Sequence, residues 1–122
     1  MKKTILIALT LSAFIFACKE DSKEDIKPTD NSGCDTTFVP SYASKVQPIL
    51  NDFCVGCHSS NNATAGIALD NYNSSKNNST KLIPAITHPT GLPNNKKMPP
   101  GGKLKECDIV TIQRWVNSGF PE

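Results

Sequence analysis

The chain has 122 residues, of which 20% are charged, and a formal net charge of only +2. No basic stripe with interleaved aromatic residues is present, so the sequence argues against a nucleic-acid-binding protein. Residues 34–122 follow an export segment and suffice for one small domain. The core of a domain this size is marginal, and it usually needs a disulfide, a metal or a cofactor.

The first 17 residues have the pattern of a secretory signal peptide. Two lysines precede an apolar run from Thr4 to Ala17, which is too short to span a bilayer as a mature helix. The run stops at Cys18, and the residues around it resemble a bacterial lipobox, in which cleavage occurs before a lipidated cysteine. We therefore predict a lipoprotein signal peptide at residues 1–17 and acylation of Cys18. The alternative is an ordinary signal peptide with a cysteine near its cleavage site.

Residues 18–33 are dominated by charged and small polar side chains and predict a flexible tether. The opening Lys19-Glu20-Asp21 resembles the surface-export signal of some Gram-negative lipoproteins, although a solvated linker explains it equally well. Together with Cys18, the segment predicts an outer-membrane lipoprotein of a Gram-negative-type cell envelope, held to the membrane by its lipid. It would face either the periplasm or the outside of the cell.

Five cysteines in an exported chain would leave one thiol unpaired. Cys18 is assigned to the lipid, and two further cysteines belong to the motif described below. Cys34 and Cys107 then remain as a pair near the two ends of the domain. An oxidising compartment predicts a disulfide between them, and the alternative is two buried free thiols.

The first predicted helix of the domain runs from about Tyr42 to Asp52. Pro48 lies inside it and is expected to kink the helix or to restrict it to its later turns. The apolar residues recur on one face with helical spacing: Val46, Ile49, Leu50 and Phe53.

The motif C-x-x-C-H at residues 54–58 is typical of covalent haem attachment. Two thiols three residues apart can form thioethers with the two vinyl groups of one porphyrin. His58 then follows beneath the ring, where its imidazole can ligate the iron. The motif therefore predicts one haem c bound by Cys54 and Cys57, with His58 as an axial ligand.

Three alternatives compete for the two cysteines of this motif. A thioredoxin-like redox pair would need a βαβ pattern, which the sequence lacks. A structural zinc site would need four ligands, and the other histidine and cysteines have unsuitable spacing. The third alternative is a disulfide between the two cysteines of the motif.

The segment between the motif and the last helix is predicted to be mostly loop. Residues 59–81 are rich in Asn, Ser and Thr, and their few apolar side chains, Ile67, Leu69 and Tyr72, are expected to lean on the porphyrin. Residues 82–86 predict a short helix broken by Pro84. No strand pattern of useful length is present.

Met98 is the predicted sixth iron ligand, by elimination. It is the only methionine left once the signal peptide is removed, and it lies among lysines, prolines and glycines, where a core-filling role is a poor explanation. The rival ligand is His88, between Thr87 and Pro89. We expect His88 instead to be an exposed loop histidine, because positions before proline are usually at the surface.

A final helix is predicted from about Glu106 to Ser118, and Gly119 and Pro121 end it. Trp115 is expected in the core, with or without a second role as a wall of the haem site. The apolar stripe of this predicted helix consists of Ile109, Ile112, Trp115 and Val116.

Five segments follow one another along residues 34–122: VQPIL at 46–50, CVGCH at 54–58, GIALDNY at 66–72, MPPGGKL at 98–104 and IQRWVNSG at 112–119. In this order they resemble the planctomycete-type cytochrome c domain. The resemblance implies an all-α class I cytochrome c fold with few helices and long loops. It also implies thioethers at Cys54 and Cys57 and axial ligation by His58 and Met98. The cysteine pair likewise resembles that of lipoprotein members, whereas residues 73–81 lack the family pattern.

These features predict a monohaem electron-transfer protein rather than an enzyme. Axial ligation by Met98 would close the iron to substrates, so that electrons pass to redox partner proteins. Lys96, Lys97, Lys103 and Lys105 surround the Met98 loop and would steer an acidic partner, unless they are merely solvated. Two alternatives are a peroxidase-like catalyst with an open iron, which would need His88 as its acid–base group, and a tethered sensor with a structural haem.

Overall fold

The computed structural model describes residues 33–122. Over this range the chain is rich in helix and has one small two-stranded sheet, so the predicted all-α class is correct in its coarse form. No helix in residues 33–122 is long and apolar enough to cross a membrane. The predicted signal peptide at 1–17, the acylation site Cys18 and all but the last residue of the predicted tether at 18–33 lie outside the described residues.

The first predicted helix is present, with an unexpected beginning. A π-helical turn at Tyr42–Val46 continues directly into helix α1, Gln47–Phe53. The hydroxyl of Ser41 caps the turn by accepting a hydrogen bond from the Ser44 N–H at 3.4 Å. Pro48 is the second residue of α1, a position where its missing N–H is tolerated. The α-helical part of the predicted element is therefore restricted to its later turns, one of the two outcomes expected of Pro48.

The predicted loop at residues 59–81 contains more regular structure than its composition indicates. Two short strands, β1 at His58–Ser59 and β2 at Asn62–Ala63, pair antiparallel with His58 opposite Ala63. Helix α2 spans Tyr72–Asn77, and helix α3 begins at Ser79. The loop prediction is therefore wrong for residues 72–77 and 79–81.

Local capping and tertiary contacts explain why helix α2 forms from a poor helix-forming sequence. The side chain of Asn71 accepts a hydrogen bond from the Ser74 N–H at 3.0 Å, which satisfies one free donor of the first turn. Ser75 is fully buried and donates its hydroxyl to the Leu69 carbonyl oxygen at 3.1 Å. Tyr72 packs edge-on against Tyr42, with ring centroids 5.5 Å apart.

Helix α3 runs from Ser79 to Thr87 with Pro84 inside it, so the predicted break at this proline is wrong. Leu82 and Ile86, on one face of the helix, are 5% and 0% exposed. Burial of two aliphatic side chains is worth roughly 1.5–3 kcal/mol each, which offsets the cost of about 3 kcal/mol for a proline in a helix interior.

Helix α4, Glu106–Asn117, matches the last predicted helix to within one residue. Glu106 and Asp108 lie in its first turn, where negative charge is favourable to the helix dipole. Gly119 follows with φ of +83°, which terminates the helix at low conformational cost. The inner face of α4 packs on the π-helical turn and on α3. The core there contains Val46, Leu50, Leu82, Ile86, Ile109, Ile112 and Trp115.

A disulfide joins the start of the described chain to the first turn of α4. It links Cys34, which is 3% exposed, to Cys107, with 5.2 Å between the two Cα atoms and a sequence separation of 73. Most of the domain, from the π-helical turn to the Met98 loop, therefore lies inside one covalently closed loop.

We predict that replacing both Cys34 and Cys107 with serine lowers the free energy of unfolding by about 4 kcal/mol, because the open chain regains the entropy that a loop of this length removes. Urea denaturation of the purified protein measures the loss. Intact-mass analysis after thiol alkylation without reductant should show no label at these two positions in the wild type. Two labelled cysteines there would refute the pairing.

Candidate haem site

The four residues predicted to hold haem line a single cavity. Cys54, Cys57, His58 and Met98 all contribute to the wall of a space of about 720 Å³. This volume lies within the range of roughly 300–1,000 Å³ that is usual for small-molecule and cofactor sites. Apolar side chains make up much of the remaining wall: Phe53, Ile67, Leu69, Leu82, Pro84, Ala85, Leu92, Pro99 and Pro100.

The two motif cysteines are positioned by a tight turn at the end of α1. The Cys54 N–H donates to the Leu50 carbonyl oxygen at 2.8 Å, and the Cys57 N–H donates to the Cys54 carbonyl oxygen at 3.1 Å. Cys54 is buried and Cys57 is exposed. Burial raises the pKa of the Cys54 thiol to about 11, so it is protonated at neutral pH. A thioredoxin-like site needs a lowered thiol pKa, and Cys54 has the opposite property.

His58 is buried, at 8% exposed, and its ring is fixed by one backbone hydrogen bond. Its Nδ1 lies 3.0 Å from the carbonyl oxygen of Ile67. A carbonyl can only accept, so Nδ1 is the donor, and in the neutral ring the lone pair is on Nε2. This is the arrangement by which metal-binding histidines are usually oriented.

The backbone around His58 is held by the chain that follows the hairpin. The His58 carbonyl oxygen accepts a hydrogen bond from the Leu69 N–H at 2.7 Å. Next to it, Asp70 accepts from the Ser60 N–H at 2.6 Å and from the Ser60 hydroxyl at 2.8 Å. The Ser60 N–H, followed by its hydroxyl, lowers the pKa of the Asp70 carboxyl below its ordinary value. Sequence analysis did not identify Asp70 as part of the site, because its partner lies ten positions away and no local motif indicates it.

Met98 is fixed to the end of α3 through its backbone. Its N–H donates to the Ala85 carbonyl oxygen at 2.9 Å, and its carbonyl oxygen accepts from His88 Nε2 at 3.0 Å. Ala85 also lines the cavity, so the bond to α3 holds Met98 beside it.

His88 differs from the expected exposed loop residue. It caps the C-terminus of α3 in the left-handed conformation, with φ of 53° and ψ of 54°, and it is only partly exposed. Residues that precede proline avoid the right-handed helical region, and histidine is among the side chains found more often in the left-handed one. The sequence therefore indicates that the helix ends at His88. It does not indicate the hydrogen bond to Met98, because that bond depends on the folded loop.

Other predicted contacts with the porphyrin are divided between the cavity and the core. Ile67 and Leu69 line the cavity, as expected. The prediction for Tyr72 is wrong, because its hydroxyl donates to the Phe120 carbonyl oxygen at 2.8 Å and its ring packs in the aromatic core. Trp115 is fully buried in that core and is not among the residues that line the cavity.

No family model, curated protein or solved structure matches this chain. The donor set therefore has to be judged on its own chemistry. An imidazole with a free Nε2 and a thioether are the ligand pair that cytochromes c present to haem iron, and two thiols three residues apart suit the vinyl groups of the porphyrin. These residues fit a covalently bound haem. Within residues 33–122, no three His, Cys, Asp or Glu side chains converge as a metal site, which gives the zinc alternative no support there.

We predict that Asp70→Asn destabilises the protein at neutral pH, and that the difference from wild type shrinks as the pH falls below 3.8, the ordinary pKa of the group. The sign follows from the lowered pKa: the carboxylate stabilises the fold above that value and loses its effect as it becomes protonated in the folded state. Thermal unfolding between neutral pH and pH 3 or so measures this.

Ser60→Ala removes only the hydroxyl donor and leaves the Ser60 N–H, so we expect a smaller loss with the same pH dependence. A stability difference for Asp70→Asn that stays constant down to the lowest pH would show that the hydrogen bonds to the charged carboxylate are not its cause.

Proposed function

We propose that this protein is a monohaem c-type cytochrome of class I fold, which carries one haem c and transfers electrons. The observation that carries the proposal is the joint position of Cys54, Cys57, His58 and Met98 around one cavity, with the His58 proton committed to the Ile67 carbonyl. The order of the five segments that resemble the planctomycete-type cytochrome c domain supports the same function.

Each residue has a distinct task in this proposal. The thiols of Cys54 and Cys57 would attach the haem covalently, and His58 Nε2 and the Met98 thioether would hold its iron. When bound, haem supplies a one-electron couple between ferric and ferrous iron. A thioether favours ferrous iron more than a second imidazole does, so this pair of residues would give a comparatively high potential and would close the iron to substrates.

An acidic redox partner is the binding partner that the charges favour. Lys81 and Lys96 line the cavity, and Lys103 and Lys105 line a smaller depression that shares Phe53 and Pro99 with it. Lysines around the cavity would steer a negatively charged partner towards the haem.

The haem-catalyst alternative is weakened by the position of His88. A peroxidase-like reaction needs an acid–base group over the iron, and His88 is the histidine left for that task once His58 is assigned. Its Nε2 donates to the Met98 carbonyl oxygen, and the residue is not part of the cavity wall.

Attachment to the membrane through a lipid on Cys18 stays a proposal that the sequence alone supports.

We predict that replacing both Cys54 and Cys57 with alanine abolishes covalent haem, because no other thiol of residues 33–122 lines the cavity. In the wild type, acidified acetone should fail to extract the haem, and intact mass should increase by one haem. The double serine variant of Cys34 and Cys107 is the matched control, and it should retain the covalent haem. Haem that survives extraction in the alanine variant would disprove the attachment.

We predict that Met98→Ala lowers the midpoint potential by on the order of 100 mV, a fraction of the roughly 0.8 V that axial ligation spans. The same variant should lose the weak far-red band of Met-ligated ferric haem and bind cyanide readily. Potentiometry and absorption spectroscopy measure these changes. Leu92→Ala, which also removes a side chain from the cavity wall, should keep the band. Native spectra and potential in Met98→Ala would show that another group is the ligand.

A further inference from the structure

The backbone of Met98 is held by α3 and by the residue that caps it. Its N–H bonds to Ala85 in the last turn of the helix, and its carbonyl oxygen bonds to the His88 side chain, at 2.9 and 3.0 Å. The surrounding segment contains only a short 3₁₀ turn, at Asn94–Lys96. Two hydrogen bonds to the end of α3 therefore hold the backbone of Met98.

His88 occupies a position where glycine would be conformationally cheaper. Helices that end in a left-handed residue usually have glycine or asparagine there, because a larger side chain strains this backbone conformation. The φ of 53° places His88 in this region. Strain of this kind persists when surrounding interactions compensate for it, and the hydrogen bond to Met98 is an interaction that a glycine could not make.

We infer that His88 is a positioning residue for the sixth ligand of the haem, an inference that rests on the proposed function. The Met98 carbonyl oxygen can only accept, so His88 Nε2 is the donor. The bond is made while Met98 lies beside the cavity and is lost when the loop moves away. Its free energy therefore shifts the equilibrium between bound and released thioether towards the bound state.

Two amide substitutions separate this role from a purely structural one. His88→Gln carries an N–H donor at nearly the same reach as imidazole Nε2, whereas the amide of His88→Asn is one methylene shorter and does not reach the Met98 carbonyl. Asparagine tolerates the left-handed backbone better than glutamine does. A helix-terminating role would therefore favour the asparagine variant, and a positioning role would favour the glutamine variant.

The experiment is a cyanide titration of the purified ferric holoprotein, because cyanide competes with the thioether for the iron. We expect His88→Asn to bind cyanide about fivefold more tightly than wild type, as the loss of one hydrogen bond predicts. The far-red band of Met ligation should weaken in the same variant. His88→Gln should stay within about twofold of wild type and keep the band. Thermal unfolding should not rank His88→Asn below His88→Gln.

Wild-type cyanide affinity in His88→Asn, or equal impairment of both amide variants, would overturn the inference. His88→Gly, which removes the side chain and relaxes the backbone, gives the same comparison if His88→Asn fails to assemble with haem. Met98→Ala is the reference: if it does not raise cyanide affinity, the ligand assignment fails and the positioning role falls with it. If it does, and the His88 variants behave as wild type, only the positioning role is wrong.

Discussion

The hydrogen bond from His58 Nδ1 to the Ile67 carbonyl oxygen is the constraint on which the site depends. It fixes both the tautomer and the orientation of a ring that follows a cysteine turn and would otherwise rotate about two side-chain bonds. The Ile67 carbonyl oxygen reaches the His58 ring because the chain turns back through the hairpin of β1 and β2 and then passes His58. The bond from the Leu69 N–H to the His58 carbonyl oxygen holds this return path in place. The hairpin, though only two residues per strand, thus fixes the orientation of the proposed ligand His58.

The two proposed ligands are supported by different parts of the fold. His58 depends on the segment between the hairpin and α2, whereas Met98 depends on the last turn of α3. These two parts share the core with α4, which lines none of the cavity but packs on the π-helical turn, with the Tyr42 and Trp115 ring centroids 5.7 Å apart. A change in the core would therefore alter the distance between the ligands without touching either one.

Sequence analysis succeeded where the pattern is local. The helix over Glu106–Asn117 could be inferred from neighbouring residues, whereas haem attachment at the Cys54–His58 motif and ligation by Met98 stay predictions. Sequence analysis failed where tertiary contacts override composition. Helix α2 consists largely of Asn and Ser, and it forms because Ser75 is buried with a hydrogen-bonded hydroxyl and Asn71 caps the first turn. The partners of His58 and His88 are nine and ten positions away along irregular chain, so no periodicity could indicate them.

The Cys34–Cys107 disulfide also determines how this domain responds to mechanical load. All four proposed haem residues lie between the two bonded cysteines in the sequence. Tension applied between the two ends of the chain passes from Cys34 directly to Cys107 and continues along α4. Residues 35–106 form a closed loop that cannot lengthen while the bond is intact. A pull on the N-terminal end, such as a membrane anchor would exert, is therefore diverted around the cavity and borne by the last helix.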